Sequence, residues 1–312
     1  MEDKAMEELF PDTTYGVESG GDPEVIPTLS FREFSEFHRR FYHPSNSYIY
    51  LYGDMDIDET LKFIDQEYLS HFDARNVYSA VKTQSPLPKR KIVEAPFGIS
   101  ENESLEKKTI HALYIALNDH ITTEESLAFK ILSYVLVDMD GAPLKKAVLD
   151  AGIGNDVSSA YGDSYKQPVW TIEVTGSEID KREKFISTVD LVLRNLALDG
   201  IDRNMLEAAL NRTEVILREN DFQGKPKGLL YGVRAMDLWL YDRDPMQALK
   251  YIDDIKELRN NLDKGYFENL LLKYVIKNTH QVLITMKPER GLTEKKNKET
   301  AEKLAAFKSS LS

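Results

Sequence analysis

The sequence predicts an α/β or α+β sandwich, with helices laid against one sheet. Three observations carry that expectation. The chain has 312 residues and 42% hydrophobic content, enough for one large domain or two ordinary ones. From residue 107 onward, strand-like and amphipathic helical runs follow in the order strand, helices, two strands, long helices, strand. The glycines of YGVESGG match neither the dinucleotide fingerprint nor the phosphate-loop pattern, and no glycine-rich loop follows a strand, which argues against a doubly wound nucleotide fold.

Taken in order, residues 1–29 read as irregular, because TTYGVESGGDPEVIPT is punctuated by Gly and Pro. Ser30 caps a helix with Glu33 at the capping-box position, and Phe31, Phe34, Phe37 and Phe41 form its apolar stripe. Pro44 stops it. SYIYLYGD, Ser47 to Asp54, predicts a strand from its Tyr, Ile and Leu content and its Gly-Asp end. Asp56 or Asp58 caps the next helix, with Leu61, Ile64, Tyr68 and Leu69 expected to face a core. Residues 73–106 read as a linker, too long for an ordinary connection, although RKIVEA within it is strand-like.

In the second block, residues 109–117 (TIHALYIAL) predict a strand, and Thr122 or Thr123 caps a helix through FKILSYVLVD. A short helix from Ala142 to Ala151 ends at Gly152. GNDVSSAYGD and PVWTIEVTG predict successive strands joined by a turn at Asp163–Gln167. Asp180 opens a helix to about Leu198, and Asp202 caps a long one to about Asn220. Helical signal resumes at 228–240, from Pro245 to Tyr251, and from Asp263 to Lys277. HQVLITMKP is a final strand, and the tail is helical with little apolar stripe.

The formal charge is -12, from 52 acidic and 40 basic residues, which argues against a nucleic-acid groove. The chain has no cysteine, so disulfides, thiol nucleophiles and thiolate metal sites are excluded; the composition fits a reducing compartment. MEDKAMEELFPD is acidic without a long apolar run, so it is not a secretory signal, and no stretch reaches about 18 apolar residues, the length that spans a bilayer. The expected location is the cytoplasm, or an organellar matrix if a targeting segment precedes this sequence.

No catalytic, cofactor-binding or metal-binding residue stands out. His38 and His43 lie five apart across a helix end with no Glu between them, whereas a zinc helix places two His four apart on one face. His71, His111, His120 and His280 have no partner at ligand spacing. The acidic pairs Glu124/Glu125, Asp138/Asp140 and Asp242/Asp244 lack the calcium-loop pattern and read as caps and solvated surface. No G-x-S-x-G elbow occurs, and Ser104, Ser133 and Ser158 have no triad-like partners. Trp170, Trp239, Tyr161, Tyr165 and Tyr241 read as core or as a peptide-binding wall, with Tyr161 and Tyr165 the ones expected at the surface.

YGVESGGDPEVIPTLSFREFSEFHRRFYHPSNSYIYLYGDM (15–55) resembles the insulinase-like zinc peptidases, specifically their presequence-protease branch. DGAPLKKAVLDAGIGNDVSSAYGDS (140–164) and LLYGVRAMDLWLYDRDPMQALKY (229–251) resemble the same branch, and the likeness covers about residues 8 to 287. The resemblance implies an α+β fold, helices on one face of a mixed, mostly antiparallel sheet. In that family zinc is held by an inverted H-x-x-E-H helix and a downstream Glu, the first Glu acting as general base for a zinc-bound water. No H-x-x-E-H occurs here, so none of the family's site residues can be carried over, and no cofactor is expected in this chain; zinc belongs to the full-length parent. Residues 1–72 then correspond to the closing part of the catalytic domain, 73–106 to a linker, 107–288 to the second, non-catalytic domain, and 289–312 to the start of a hinge or linker helix.

The implied function is that of an internal fragment of an intracellular zinc oligopeptidase that degrades unstructured peptides in a closed chamber. The fragment is expected to be inactive, contributing chamber wall and scaffold. The alternative is a stand-alone, non-catalytic peptide-binding or structural partner of the same fold. Expected partners are the remaining domains of the parent and, through residues 1–72, either the second block or another copy of the chain.

Overall fold

The computed structural model describes residues 1–119, 121–219 and 224–311. His120 and the helix end expected at about Asn220 lie outside them. A sheet of five strands, among the described residues, organises the fold in the order β1-β5-β2-β4-β3. These are β1 (Lys91–Ile99), β2 (Thr109–Ala116), β3 (Asp156–Gly162), β4 (Val169–Ser177) and β5 (Gln281–Arg290). β1 runs parallel to β5, and the β5–β2, β2–β4 and β4–β3 pairs are antiparallel. The sheet is thus mixed and mostly antiparallel, as expected.

Side-chain alternation along a strand divides the sheet's two faces. Leu113, Ile115, Ile172, Val174 and Leu283 point into the main core. There they meet Phe129 and Leu132 of α4 (Thr123–Ser133), Val148 of α5 (Pro143–Asp150), and Phe185 and Val189 of α6 (Arg182–Asp199). Leu206 and Leu210 of α7 (Arg203–Glu219), Leu258 of α9 (Tyr251–Asn260) and Phe267 of α10 (Tyr266–Leu271) complete it. Thr122 and Glu125 form the reciprocal capping box that starts α4. α4 and α10 each run on into a π-helical turn, Tyr134–Asp138 and Leu272–Ile276.

The opposite face carries Ala112, Tyr114, Ala116, Val282 and Ile284, and α1 (Glu2–Leu9) packs there through Ala5, Met6 and Leu9. The sequence reading of residues 1–29 as wholly irregular is corrected by this helix, whose burial on the sheet offsets its shortness. α9 was likewise not foreseen between Tyr251 and Asn260. Within the stretch read as a linker, RKIVEA lies in and beside the edge strand β1. Arg90 fastens β1 by a two-pronged ion pair to Asp190 of α6, at 2.7 and 2.8 Å, and by donating to Gln281 at 2.8 Å.

The strand expected over Ser47–Asp54 does not form. Those residues carry no strand pairing, and the segment bends at Gly53–Asp54. The ribbon lies against α8 (Lys227–Trp239): Tyr48 packs on Trp239 with ring centroids 4.4 Å apart. A Cβ built on Gly228 would come within 2.1 Å of the Tyr52 ring, and one on Gly232 within 2.8 Å of the Tyr50 ring. Four helical residues rise about 6 Å and two extended residues about 6.6 Å, so the glycine spacing matches the tyrosine spacing. α2 (Phe31–Phe41) and α3 (Ile57–Glu67) form with the expected caps at Ser30 and Asp56, but neither buries a residue. The core expected beneath Leu61 and Tyr68 is absent; they are 50% and 54% exposed. α11 (Leu292–Ser310) closes the chain as a solvated helix.

Candidate functional site

A cavity of about 560 Å³ opens beside the β3–β4 turn, between α4, α7, α8 and the start of α9. That size lies in the small-ligand range. The chain assembles it by folding four distant stretches together. α4 presents Ser126 and Lys130, the turn presents Asp163 and Tyr165, α7 presents Arg212, and the region around α8 presents Asp237, Tyr241 and Arg243. Ile121, Leu127, Ile216 and Leu238 supply apolar wall.

Hydrogen bonds fix its polar groups. The Tyr241 hydroxyl donates to the Ser164 carbonyl at 2.7 Å and pairs with the Tyr15 hydroxyl, which accepts from the Lys166 amide at 3.0 Å. Burial pushes the Tyr241 phenol well above its ordinary range, so it stays protonated. Asp163 is engaged by Lys130 at 2.6 Å and by the Ser126 hydroxyl at 2.8 Å. Burial raises Asp237 and Asp254 above the usual carboxylate range, opposed by hydrogen bonds from Ser164 and Thr123 respectively. Arg212 lies over the Tyr134 ring, 4.3 Å from its centroid. Lys166 donates to the Val81 carbonyl at 2.8 Å.

Of the aromatic residues weighed from the sequence, Tyr165 and Tyr241 line this cavity. Trp170 is wholly buried, Tyr161 stacks on Phe129 in the core rather than lying at the surface, and Trp239 holds Tyr48. Tyr15, Arg212 and Arg243 carried no sequence signal for this site, since they lie far apart along the chain and in three different patterns.

The histidines do not converge. The His43 Nδ1 accepts from the Ser45 amide, and His38 stacks on Tyr42. His71 sits beside the Tyr68 carbonyl. His111 is buried, with Nε2 donating to the Glu178 carbonyl and Nδ1 accepting from Thr285, each at 3.0 Å. His280 donates from Nε2 to the Leu9 carbonyl at 2.7 Å. His120 lies outside the described residues. Among the described residues no group of three or more His, Cys, Asp or Glu could hold a metal ion, so the residues present do not fit a zinc centre. Ser133 is committed to Ser159 and the Trp170 indole, not to a base.

The family model described as "Peptidase M16 inactive domain" matches residues 28–213. Protein HypA of Clostridium perfringens is 42% identical over 307 residues, covering 98% of this chain and 32% of that protein. Presequence protease 1, chloroplastic/mitochondrial, of Arabidopsis thaliana is 34% identical over 297 residues, covering 91% of this chain and 27% of that protein. The chain therefore spans about a third or less of the length of these relatives. The crystal structure of a peptidase M16 inactive domain from Pseudomonas fluorescens shares the fold, with a TM-score of 0.64 at 18% identity, covering 91% of this chain and 64% of that one. The insulinase-like resemblance thus holds over most of the sequence, and the chain belongs to the peptidase M16 inactive-domain family.

Proposed function

We propose that this chain is the non-catalytic part of a larger zinc peptidase that degrades unstructured peptides, supplying chamber wall and scaffold. One observation carries the reading. The stretch before β1 displays uncovered aromatic faces, with Phe31 85%, Phe34 63% and Phe37 59% exposed, beside a sheet-and-helix unit with a complete core. Soluble chains rarely leave such faces bare, so another part of the parent covers them. The alignment of nearly the whole chain with a fraction of longer relatives, presequence protease 1 among them, supports this. In this reading residues 1–72 derive from the catalytic domain with α1 docked on the second domain's sheet, 73–106 link the two while lending β1 to that sheet, and 107–288 form the rest of the second domain. The relatives named for mitochondria support an organellar matrix over the cytoplasm.

The experiment is a purified-chain assay followed by reconstitution. The chain alone should not cleave an unstructured peptide, with or without zinc. Co-expressed with the remaining domains of its parent, it should co-purify with them and give chelator-sensitive cleavage. Chelator-sensitive cleavage by the chain alone, or failure to associate, would sink the proposal. The cavity favours a second reading, a stand-alone non-catalytic peptide-binding partner; it predicts ligand binding by this chain with no need of other domains.

A further inference from the structure

The cavity carries an imbalance of charge. Its acids are engaged: Asp163 by Lys130 and Ser126, Asp237 by Ser164, Asp254 by Thr123, and Asp119 by the Thr83 hydroxyl. Its cations are not all balanced. Among the described residues, neither Arg212 nor Arg243 has a carboxylate within ion-pair distance, and Lys166 is bonded to a backbone carbonyl. A guanidinium without a carboxylate at ion-pair distance is a ready partner for one, which it can grip with two parallel N–H donors. Burial also disfavours the charged forms of Asp237 and Asp254, two of the four acids in the lining, which weakens their repulsion of an anion there.

The rest of the lining selects the body of the ligand. Ile121, Leu127, Ile216 and Leu238 offer an apolar wall, and Ser126 and Gln247 offer side chains able to meet amide groups. We propose that this cavity binds an apolar molecule bearing one carboxylate, of which the free C-terminal end of a short peptide is the best fit, with Arg212 and Arg243 receiving the carboxylate. The site is separate from any zinc chemistry and needs only this chain, so it stands or falls independently of the peptidase reading.

The test is calorimetric titration of the full chain with three probes. They are an N-acetylated tetrapeptide of leucine and alanine with a free carboxylate, its C-terminal amide, and octanoate. The free-carboxylate peptide should bind saturably at millimolar or lower concentration, and the amide at least about tenfold more weakly. Arg243→Gln and Arg212→Gln should each remove most of that difference while leaving binding of the amide unchanged. Arg212 is exposed, so its variant keeps the test valid should Arg243→Gln fail to fold; the melting curve checks both. Octanoate binding as tightly as the peptide would uphold the carboxylate site and assign it to simple acids. Equal affinity for peptide and amide, absence of saturable binding, or full binding by both variants would overturn the proposal.

Discussion

Histidine 280 illustrates how a residue that resembles a ligand in the sequence is spent on structure. Its Nε2 donates to the Leu9 carbonyl at the end of α1, and Phe10 packs edge-on against the ring. Burial lowers its pKa from the ordinary 6.5, against the opposing effect of the Leu9 hydrogen bond. The folded state therefore takes up the proton less readily than the unfolded state. The stability that His280 contributes is complete above the unfolded pKa and is lost as pH falls from about 6.5 towards the lowered folded value. His280→Leu should destabilise the chain by about 1–3 kcal/mol near pH 7.5, because the Leu9 carbonyl loses its buried donor. Urea midpoints should show that gap narrowing towards about pH 5; a constant gap would contradict the account. The sequence offers no ligand spacing among its histidines. It could not show Tyr15 beside Tyr241, because that contact joins residues 226 positions apart.

Elements were legible where burial and periodicity agree. β2 and β5 are apolar runs buried on both faces, α4 and α7 have caps and stripes that match their packing, and α6 has the stripe although no side chain caps its start. Legibility failed at the edges. β1 alternates between exposed and half-buried residues and gains its order from pairing with β5, which no local pattern reports. Ser47–Asp54 has the composition of a strand, yet strand propensity needs a neighbouring strand, and α8 offers a helix instead. The glycine notches make this contact testable. Gly228→Leu should collide with Tyr52, and Gly232→Leu with Tyr50, releasing the ribbon. Chymotrypsin should then cut within residues 47–54 roughly tenfold faster, since local opening governs access. Tyr52→Ala should release the ribbon too, and combining it with Gly228→Leu should add little further effect, as expected for two changes at one contact. Additive effects, or unchanged cleavage, would show that the ribbon is held elsewhere.

Over the whole molecule, order is unevenly distributed, and the two uneven regions make separate predictions. Residues 73–82 have no regular structure, whereas Gln84 is locked by paired hydrogen bonds with Gln167 and Asp12, and β1 lies in the sheet. Limited proteolysis should therefore cut first between Asp73 and Lys82, ahead of Lys91–Ile99; a first cut inside Arg203–Glu219 would contradict both the fold and the division proposed here. The aromatic face of α2 gives the second prediction. If Phe31, Phe34 and Phe37 were core residues of this chain, replacing each would cost about 3–5 kcal/mol. They are uncovered, so the triple change to serine should leave the melting transition of the isolated chain nearly unmoved, within about 0.5 kcal/mol per site. The same change should reduce binding of a hydrophobic dye and any self-association seen by sedimentation, because it removes an apolar patch that water does not favour. In the reconstituted peptidase the triple variant should fail to join the remaining domains, since there these rings enter an interface. A large loss of stability in the isolated chain would mean that the α2 face is already covered, by the second block or by another copy, and the need for a parent domain to cover it would disappear.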